Sequence, residues 1–209
     1  MYISKSFRFA PISAALFAAA IVSATANAQQ AASRDPAAVK AGNYKIEPEH
    51  TQVTFSLSHL GFSEFSGQFS GASGSLKIDP AKPEASQLRV TVPTRSIQTT
   101  VTELTEKLKG EGWFEAAKYP EATFVSSKIT KTGDDKATIV GDLTLHGVTK
   151  PVTLTARLIG SGVNPIDQAT TVGFQATGMI KRGDFGISQY LPVLGDEVQL
   201  KIDAAFTLE

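Results

Sequence analysis

The sequence lacks cysteine and has only three histidines, His50, His59 and His146. Without cysteine there are no disulfides, thiol nucleophiles or thiolate metal sites. No H-x-H or H-x-x-x-H pair places two imidazoles side by side on one element. We therefore expect no metal site, and we expect each histidine to form hydrogen bonds at a strand end.

The sequence also lacks an excess of either charge and a long hydrophobic run. Without residues 1–28 the chain carries 18 basic and 20 acidic residues, since that segment contains Lys5 and Arg8 and no acid. This balance gives no electrostatic reason to expect nucleic acid as a partner. The longest apolar run, from Ala10 to Val22, has about 13 residues, whereas a membrane span needs about 20.

The N-terminus has the three parts of a secretory signal peptide. Lys5 and Arg8 precede the apolar run, and the small residues Ala26-Asn27-Ala28 follow it. We predict cleavage after Ala28 and a periplasmic protein. Residues 29–42, which are small and polar, predict a flexible mature N-terminus, and one domain is expected over 43–209.

Alternation of apolar and polar residues dominates this domain and predicts strands. It is clearest in HTQVTFSLSHL (50–60) and EVQLKIDAAFTLE (197–209). Six further runs bring the total to about eight, near 69–79, 87–93, 122–130, 137–145, 151–159 and 171–180. Eight antiparallel strands fit an all-β barrel or sandwich, and an eight-stranded barrel either fills its interior or holds a small ligand.

One segment, over residues 101–118, breaks the strand pattern. Val101, Leu104 and Leu108 have helical spacing, and Gly110 and Gly112 follow them. We expect a short helix, a glycine break and a second helical piece within WFEAAK (113–118).

No motif for catalysis stands out. There is no G-x-S-x-G nucleophile elbow, and the Asp134-Asp135 pair falls in a turn. His146, followed by Gly147 and Pro151, fits a role in fixing a turn. GFSEFSGQFSG (61–71) fits either a mobile apolar loop beside a cavity or a hairpin whose phenylalanines enter the core.

Several motifs in one order resemble the YceI-like family of periplasmic polyisoprenoid-binding proteins. The resemblance runs from about Asn43 to Glu209. Its motifs include HTQV (50–53), FSLSHLG (55–61), FSGQF (65–69), AKYP (117–120), GDLTLHGVTKP (141–151), RGDFG (182–186) and GDEV (195–198). The chain departs from many members at Thr105-Glu106-Lys107 and at Lys181, which bears on head-group preference.

The resemblance implies an eight-stranded antiparallel lipocalin-like barrel that holds an isoprenoid lipid, such as a quinone or a polyprenyl phosphate, with no other cofactor and no enzymatic activity. It leaves open a homodimer and transient contact with a membrane or a membrane protein. Lumen residues would set affinity, and His59 or Arg182 at the mouth would choose the head group. The expected ligand-binding residues are Phe55, Leu57, His59, Phe62, Phe65, Phe69, Trp113, Phe114, Phe124, Leu143, Leu145, Phe174, Arg182 and Phe185. Val152 and Leu154 are also expected to face the barrel interior.

Two other functions fit the residues. One is an enzyme acting on a small hydrophobic substrate, with His59 or His146 as its base. The other is an envelope stress protein whose barrel is packed solid by Phe55, Phe124 and Phe174. Alternation shows which residues share a face of a strand, but it does not show which face is the lumen.

Overall fold

The structure is a computed structural model that describes residues 32–209. It contains one antiparallel sheet of nine strands. The predicted signal peptide, residues 1–28, lies outside the described residues. The strands are β1 (Gly42–His59), β2 (Ser63–Phe69), β3 (Ser73–Ile78), β4 (Gln87–Pro93), β5 (Glu121–Lys131), β6 (Lys136–Leu145), β7 (Val148–Val163), β8 (Thr170–Lys181) and β9 (Glu197–Leu208).

The sheet closes into a barrel because β1 pairs with β9, from Tyr44 opposite Leu208 to Ser56 opposite Gln199. Strands β2 and β3 occupy one position in the ring. Strand β3 pairs with the first residues of β1, and β2 pairs with its last residues, Val53 to His59. The expected eight-stranded closed barrel is therefore confirmed. The predicted strand over 69–79 corresponds to β3, which begins at Ser73, and Phe69 instead ends β2, a strand beyond the eight predicted runs.

Alternation along the strands separates the inside of the barrel from the outside. In β7, Val152, Leu154 and Ala156 are buried, whereas Thr153 and Thr155 between them are exposed. Successive side chains of a strand point to opposite faces, so each strand contributes one apolar face to the interior. The same pairing places Ala156 beside Ala176 of β8 and Ala137 of β6.

The two ends of the barrel differ. At the end named here the capped end, residues 94–120, the β6–β7 turn and residues 182–196 cover the interior. Helix α1 (Thr102–Lys109) confirms the predicted short helix, and it ends at Gly110. The second helical piece is absent from its expected place, because residues 113–118 form turns in which Lys118 and Tyr119 both donate to the Glu115 carbonyl.

The N-terminal segment packs against the barrel as far as the structure describes it. Residues Pro36–Ala38 form a 3-10 helix, and Ser33 forms an isolated bridge with Ser161 of β7. Val39 is buried, and the Tyr44 hydroxyl donates to the Lys40 carbonyl at 2.9 Å. Most other side chains between residues 33 and 41 are exposed, and the flexibility expected over 29–42 stays a prediction.

The GFSEFSGQFSG segment, residues 61–71, belongs to a β-hairpin and is not a loop. It forms the β1–β2 turn and strand β2, as the hairpin alternative requires. Its phenylalanines differ in burial: Phe69 packs against the core, whereas Phe62 in the turn is 89% exposed. Over residues 32–209, no helix has the length and hydrophobicity needed to cross a membrane.

Candidate functional site

A cavity of about 520 Å³ runs inside the barrel. Inward-facing residues of β9, from Val198 to Phe206, follow its wall throughout. At about 3.4 Å per residue and a strand tilt near 40°, this stretch corresponds to about 20 Å along the barrel axis. The cavity is therefore long and narrow, which suits a chain more than a compact molecule.

Away from the mouth, the cavity wall is apolar except for Thr51, Thr94 and Arg182. The Thr51 hydroxyl accepts from the backbone N–H of Ala205 at 3.1 Å. The Thr94 hydroxyl donates to the Tyr119 carbonyl at 2.6 Å. These hydroxyls already have hydrogen-bond partners. This part of the wall therefore favours the binding of hydrocarbon, because a polar ligand group would lose water without gaining a hydrogen bond.

Three small residues on neighbouring strands leave space in the lumen. Ala137, Ala156 and Ala176 lie side by side on β6, β7 and β8, and all three line the cavity. The aromatic residues expected to fill a solid barrel, Phe55, Phe124 and Phe174, line the cavity as well. The filled-barrel interpretation is therefore not supported by the structure.

Arg182 is buried at the capped end, only 5% exposed, and its guanidinium holds the loop of residues 182–196 together. Its Nε donates to the Gly195 carbonyl at 2.8 Å, and its terminal nitrogens donate to the carbonyls of Ile187, Gln189 and Leu194 at 2.9 to 3.2 Å. These bonds hold residues 182–196 in one loop. Burial lowers the pKa of Arg182, and the nearby Asp196 carboxylate opposes that shift.

The aromatic floor of the lumen lies beside this arginine. Trp113 lines the cavity, and the Arg182 guanidinium carbon is 5.9 Å from its ring centroid. Leu108 and Phe114 line the same end, where the Phe114 ring meets Phe69 edge-on at 5.3 Å. The sequence-based placement of Arg182 at the mouth is thus wrong, because residues 182–196 fold over the end that α1 also covers.

The mouth lies at the opposite end of the barrel. It is formed by the 3-10 helix Pro36–Ala38, the β3–β4 connection and the β5–β6 turn. Here the wall becomes polar and accessible, and the lining residues there are Pro36, Ala37, Asp79, Pro80, Pro83, Ser86, Lys131, Asp134, Asp135 and Lys136. Sequence reasoning missed this rim, because the Asp134-Asp135 turn has the composition of any solvated turn.

The structure brings ten of the predicted ligand-binding residues to the cavity wall. These are Phe55, Leu57, Phe69, Trp113, Phe114, Phe124, Leu143, Leu145, Phe174 and Arg182, and Val152 and Leu154 join them. Ligand contact at these residues stays a prediction. The small residues Ala156, Ala176 and Ala204 also line the wall and were missed, although their position in the strand alternation marks them.

Four predicted residues lie elsewhere. His59 and Phe62 are exposed at the β1–β2 turn, where the chain reverses outside the barrel. Phe65 is partly buried beside His59, with ring centroids 6.5 Å apart. Phe185 is buried in the packing of residues 182–196 and does not reach the cavity.

His146 lies in the β6–β7 turn, and the role of its side chain in fixing that turn stays a prediction. It has a φ of 52° between β6 and β7, and its Nδ1 lies 3.1 Å from the Phe185 carbonyl oxygen. Its Nε2 is 3.3 Å from a Glu115 carboxylate oxygen without hydrogen-bond geometry, and the Tyr119 ring lies against it. Neither His146 nor His59 lines the cavity. Within residues 32–209, no three potential metal ligands of the His, Cys, Asp or Glu type are grouped.

The chain is similar to known proteins in sequence and in fold. Over 164 residues it is 43% identical to Protein YceI of Escherichia coli O6:H1, covering 78% of this chain and 85% of that protein. The crystal structure of Burkholderia cenocepacia BcnA superposes with a TM-score of 0.69 at 27% identity, covering 77% of this chain and 98% of that one.

A polyisoprenoid-binding domain from Saccharophagus degradans has the same fold, with a TM-score of 0.61 at 17% identity, over 81% of this chain and 100% of that one. The model of the YceI-like domain matches residues 44–206, which include all nine strands except the outermost residues of β1 and β9. The chain therefore belongs to the YceI-like family.

Proposed function

We propose that this protein is a non-enzymatic periplasmic carrier that holds a long-chain isoprenoid lipid, such as a quinone or a polyprenyl lipid, inside its barrel. The observation that carries the proposal is the apolar cavity of about 520 Å³, whose wall is almost free of unpartnered polar groups. A membrane lipid with a long hydrocarbon tail fits such a wall, and it needs a carrier to cross an aqueous compartment.

The hydrophobic effect supplies enough free energy for this task. Burial of one CH₂ contributes about 0.8 kcal/mol, so one five-carbon prenyl unit contributes about 3 to 4 kcal/mol before ordering costs. Two or three units outweigh any single hydrogen bond to a head group, which contributes about 1 kcal/mol. Affinity should therefore follow the length of the buried tail.

Similar proteins support the same choice of ligand. The Saccharophagus degradans domain, which shares this fold, is named for binding polyisoprenoids. The periplasmic location is supported by the signal-peptide pattern in residues 1–28. Catalysis has less support, because the histidines considered as bases, His59 and His146, both lie outside the cavity.

The proposal is tested by identifying lipid that copurifies with the protein. The full chain is expressed with its N-terminal segment in a Gram-negative host, purified from the periplasmic fraction without detergent and extracted for mass spectrometry. We expect a stoichiometric species whose mass contains repeated five-carbon units. An unrelated exported protein, purified by the same steps, controls for lipid carried over from membranes. Repeated absence of any prenyl species would contradict the proposal.

A further inference from the structure

The geometry points to one orientation for the bound lipid: the tail enters first and ends against Trp113 at the capped end, and the oxygen-bearing head group stays at the mouth beside Lys131 and Lys136. This inference rests on the proposed lipid-binding function. It assigns a head-group subsite to residues that have no obvious role in the fold, and it reverses the role expected for Arg182.

The capped end has almost no capacity for a head group. Arg182 is the charged side chain at that end of the wall, and four of its five N–H groups have backbone carbonyl partners. One side of its guanidinium faces the Trp113 ring. Besides Arg182 and Trp113, the other cavity-lining residues there are apolar except Thr94, whose hydroxyl already donates to the Tyr119 carbonyl.

A head group placed at the capped end would lose its water and could gain at most two donors, the fifth N–H of Arg182 and the indole N–H of Trp113. Desolvation of a carbonyl or hydroxyl without a matching hydrogen bond is unfavourable, and desolvation of a phosphate is far more so. The hydrocarbon end of a tail has no such cost at this position. The floor of the cavity therefore favours the tail.

The mouth has the opposite properties. Lys131 and Lys136 line the cavity and are exposed, and neither forms an ion pair with any residue in 32–209. Each ammonium can donate to a phosphate, carbonyl or hydroxyl oxygen while that oxygen keeps part of its hydration. Lysine stems also cover apolar surface while the charge stays in water, which suits the border between a tail and a head group.

The rim also contains carboxylates, which limit its selectivity. Asp134 and Asp135 lie between the two lysines in the β5–β6 turn, and Asp79 faces the cavity from the β3–β4 connection. The Asp79 carboxylate already accepts from the backbone N–H groups of Ala81 and Lys82. With mixed charge in water, we expect the rim to choose weakly between neutral and anionic head groups.

Trp113 allows the orientation to be measured directly, because it is the single tryptophan and it lies at the cavity floor. Bromine quenches tryptophan fluorescence by contact. The purified, delipidated full-length protein is titrated with three hexadecanols: one brominated at its terminal carbon, one brominated beside the hydroxyl, and one without bromine. We expect strong quenching by the terminally brominated alcohol alone. Equal quenching by both brominated alcohols, or stronger quenching by the head-brominated one, would overturn the orientation.

The head-group subsite is tested with geranylgeraniol and geranylgeranyl diphosphate, which share one tail. In the double variant Lys131→Gln, Lys136→Gln, we expect diphosphate binding to weaken about threefold to tenfold, as for exposed charge pairs, and alcohol binding to stay unchanged. Lys150→Gln, at the other end of the barrel, is the matched control and should change neither. Equal binding of the diphosphate by the double variant and the control would overturn the subsite. If the wild-type protein binds neither geranylgeraniol nor its diphosphate, the proposed lipid-binding function itself fails. That result differs from the one that overturns the head-group subsite.

Discussion

Obstruction of the lumen at half its height should strongly weaken lipid binding without unfolding the barrel. Ala156 lies near the middle of β7 and faces inward between Ala137 and Ala176. A phenylalanine ring at this position would enter open space between these small neighbours and would block the route between the mouth and Trp113. Because Ala156→Phe fills an existing cavity, we expect the free energy of unfolding to change by no more than about 1 to 3 kcal/mol.

The loss of affinity can be worked out from the length of the lumen. About half of the 20 Å of lumen lies beyond Ala156, so at least one prenyl unit is displaced. One unit contributes about 3 to 4 kcal/mol, and each 1.4 kcal/mol corresponds to a tenfold change in Kd. We therefore expect geranylgeraniol to bind on the order of 100-fold more weakly or worse.

The assay is a titration with geranylgeraniol followed by Trp113 fluorescence, with thermal unfolding measured in parallel. Thr155→Phe is the matched control, because it adds the same ring one residue away on the exposed face of β7. It should bind as the wild-type protein does. If Ala156→Phe keeps its fold and also keeps wild-type affinity, the lipid does not occupy the lumen and the reasoning is refuted.

Three further predictions concern single side chains. Arg182→Met should lower the free energy of unfolding by about 3 kcal/mol in chemical denaturation, because one buried and three partly buried carbonyls lose their charged donor. An unchanged midpoint would contradict the role of Arg182 in holding residues 182–196. Burial raises the pKa of Tyr44. Its contribution to stability is therefore present below the pKa of about 10 in the unfolded chain and is lost as pH rises above it. Tyr44→Phe should cost about 1 kcal/mol at neutral pH and should flatten the decline in melting temperature above about pH 10. Phe62→Ser should change stability by less than about 0.5 kcal/mol and leave geranylgeraniol affinity unchanged, and weaker binding would show that this exposed ring contacts the lipid.

Local patterns predicted most of the barrel. The alternation in 50–60 and 197–209 reports burial of one face, so strands β1 and β9 follow from it. Val101, Leu104 and Leu108 likewise report one face of a helix and locate α1. The break between β2 and β3 was not predicted. An interruption at 70–72 changes which residues of β1 each segment pairs with, but it hardly changes the amino-acid composition.

Aromatic content alone was a weaker guide to the cavity. Phe62 and Phe69 lie in one short segment of similar composition, yet Phe62 is exposed in a turn and Phe69 lines the lumen. Arg182 shows the same difficulty for a charged residue. Its sequence context of turn residues suggests exposure, but the fold supplies four carbonyls that bury it.

The sequence by itself determined most of the strands, the short helix and the family, because these depend on periodicity and on motifs that are local along the chain. Only the tertiary structure decided which end of the barrel is closed and which is open. That choice depends on how residues 94–120 and 182–196 fold over one rim while the β3–β4 and β5–β6 connections leave the other accessible. These segments are far apart in sequence and meet only when the barrel closes, so no local pattern records which of them covers the lumen.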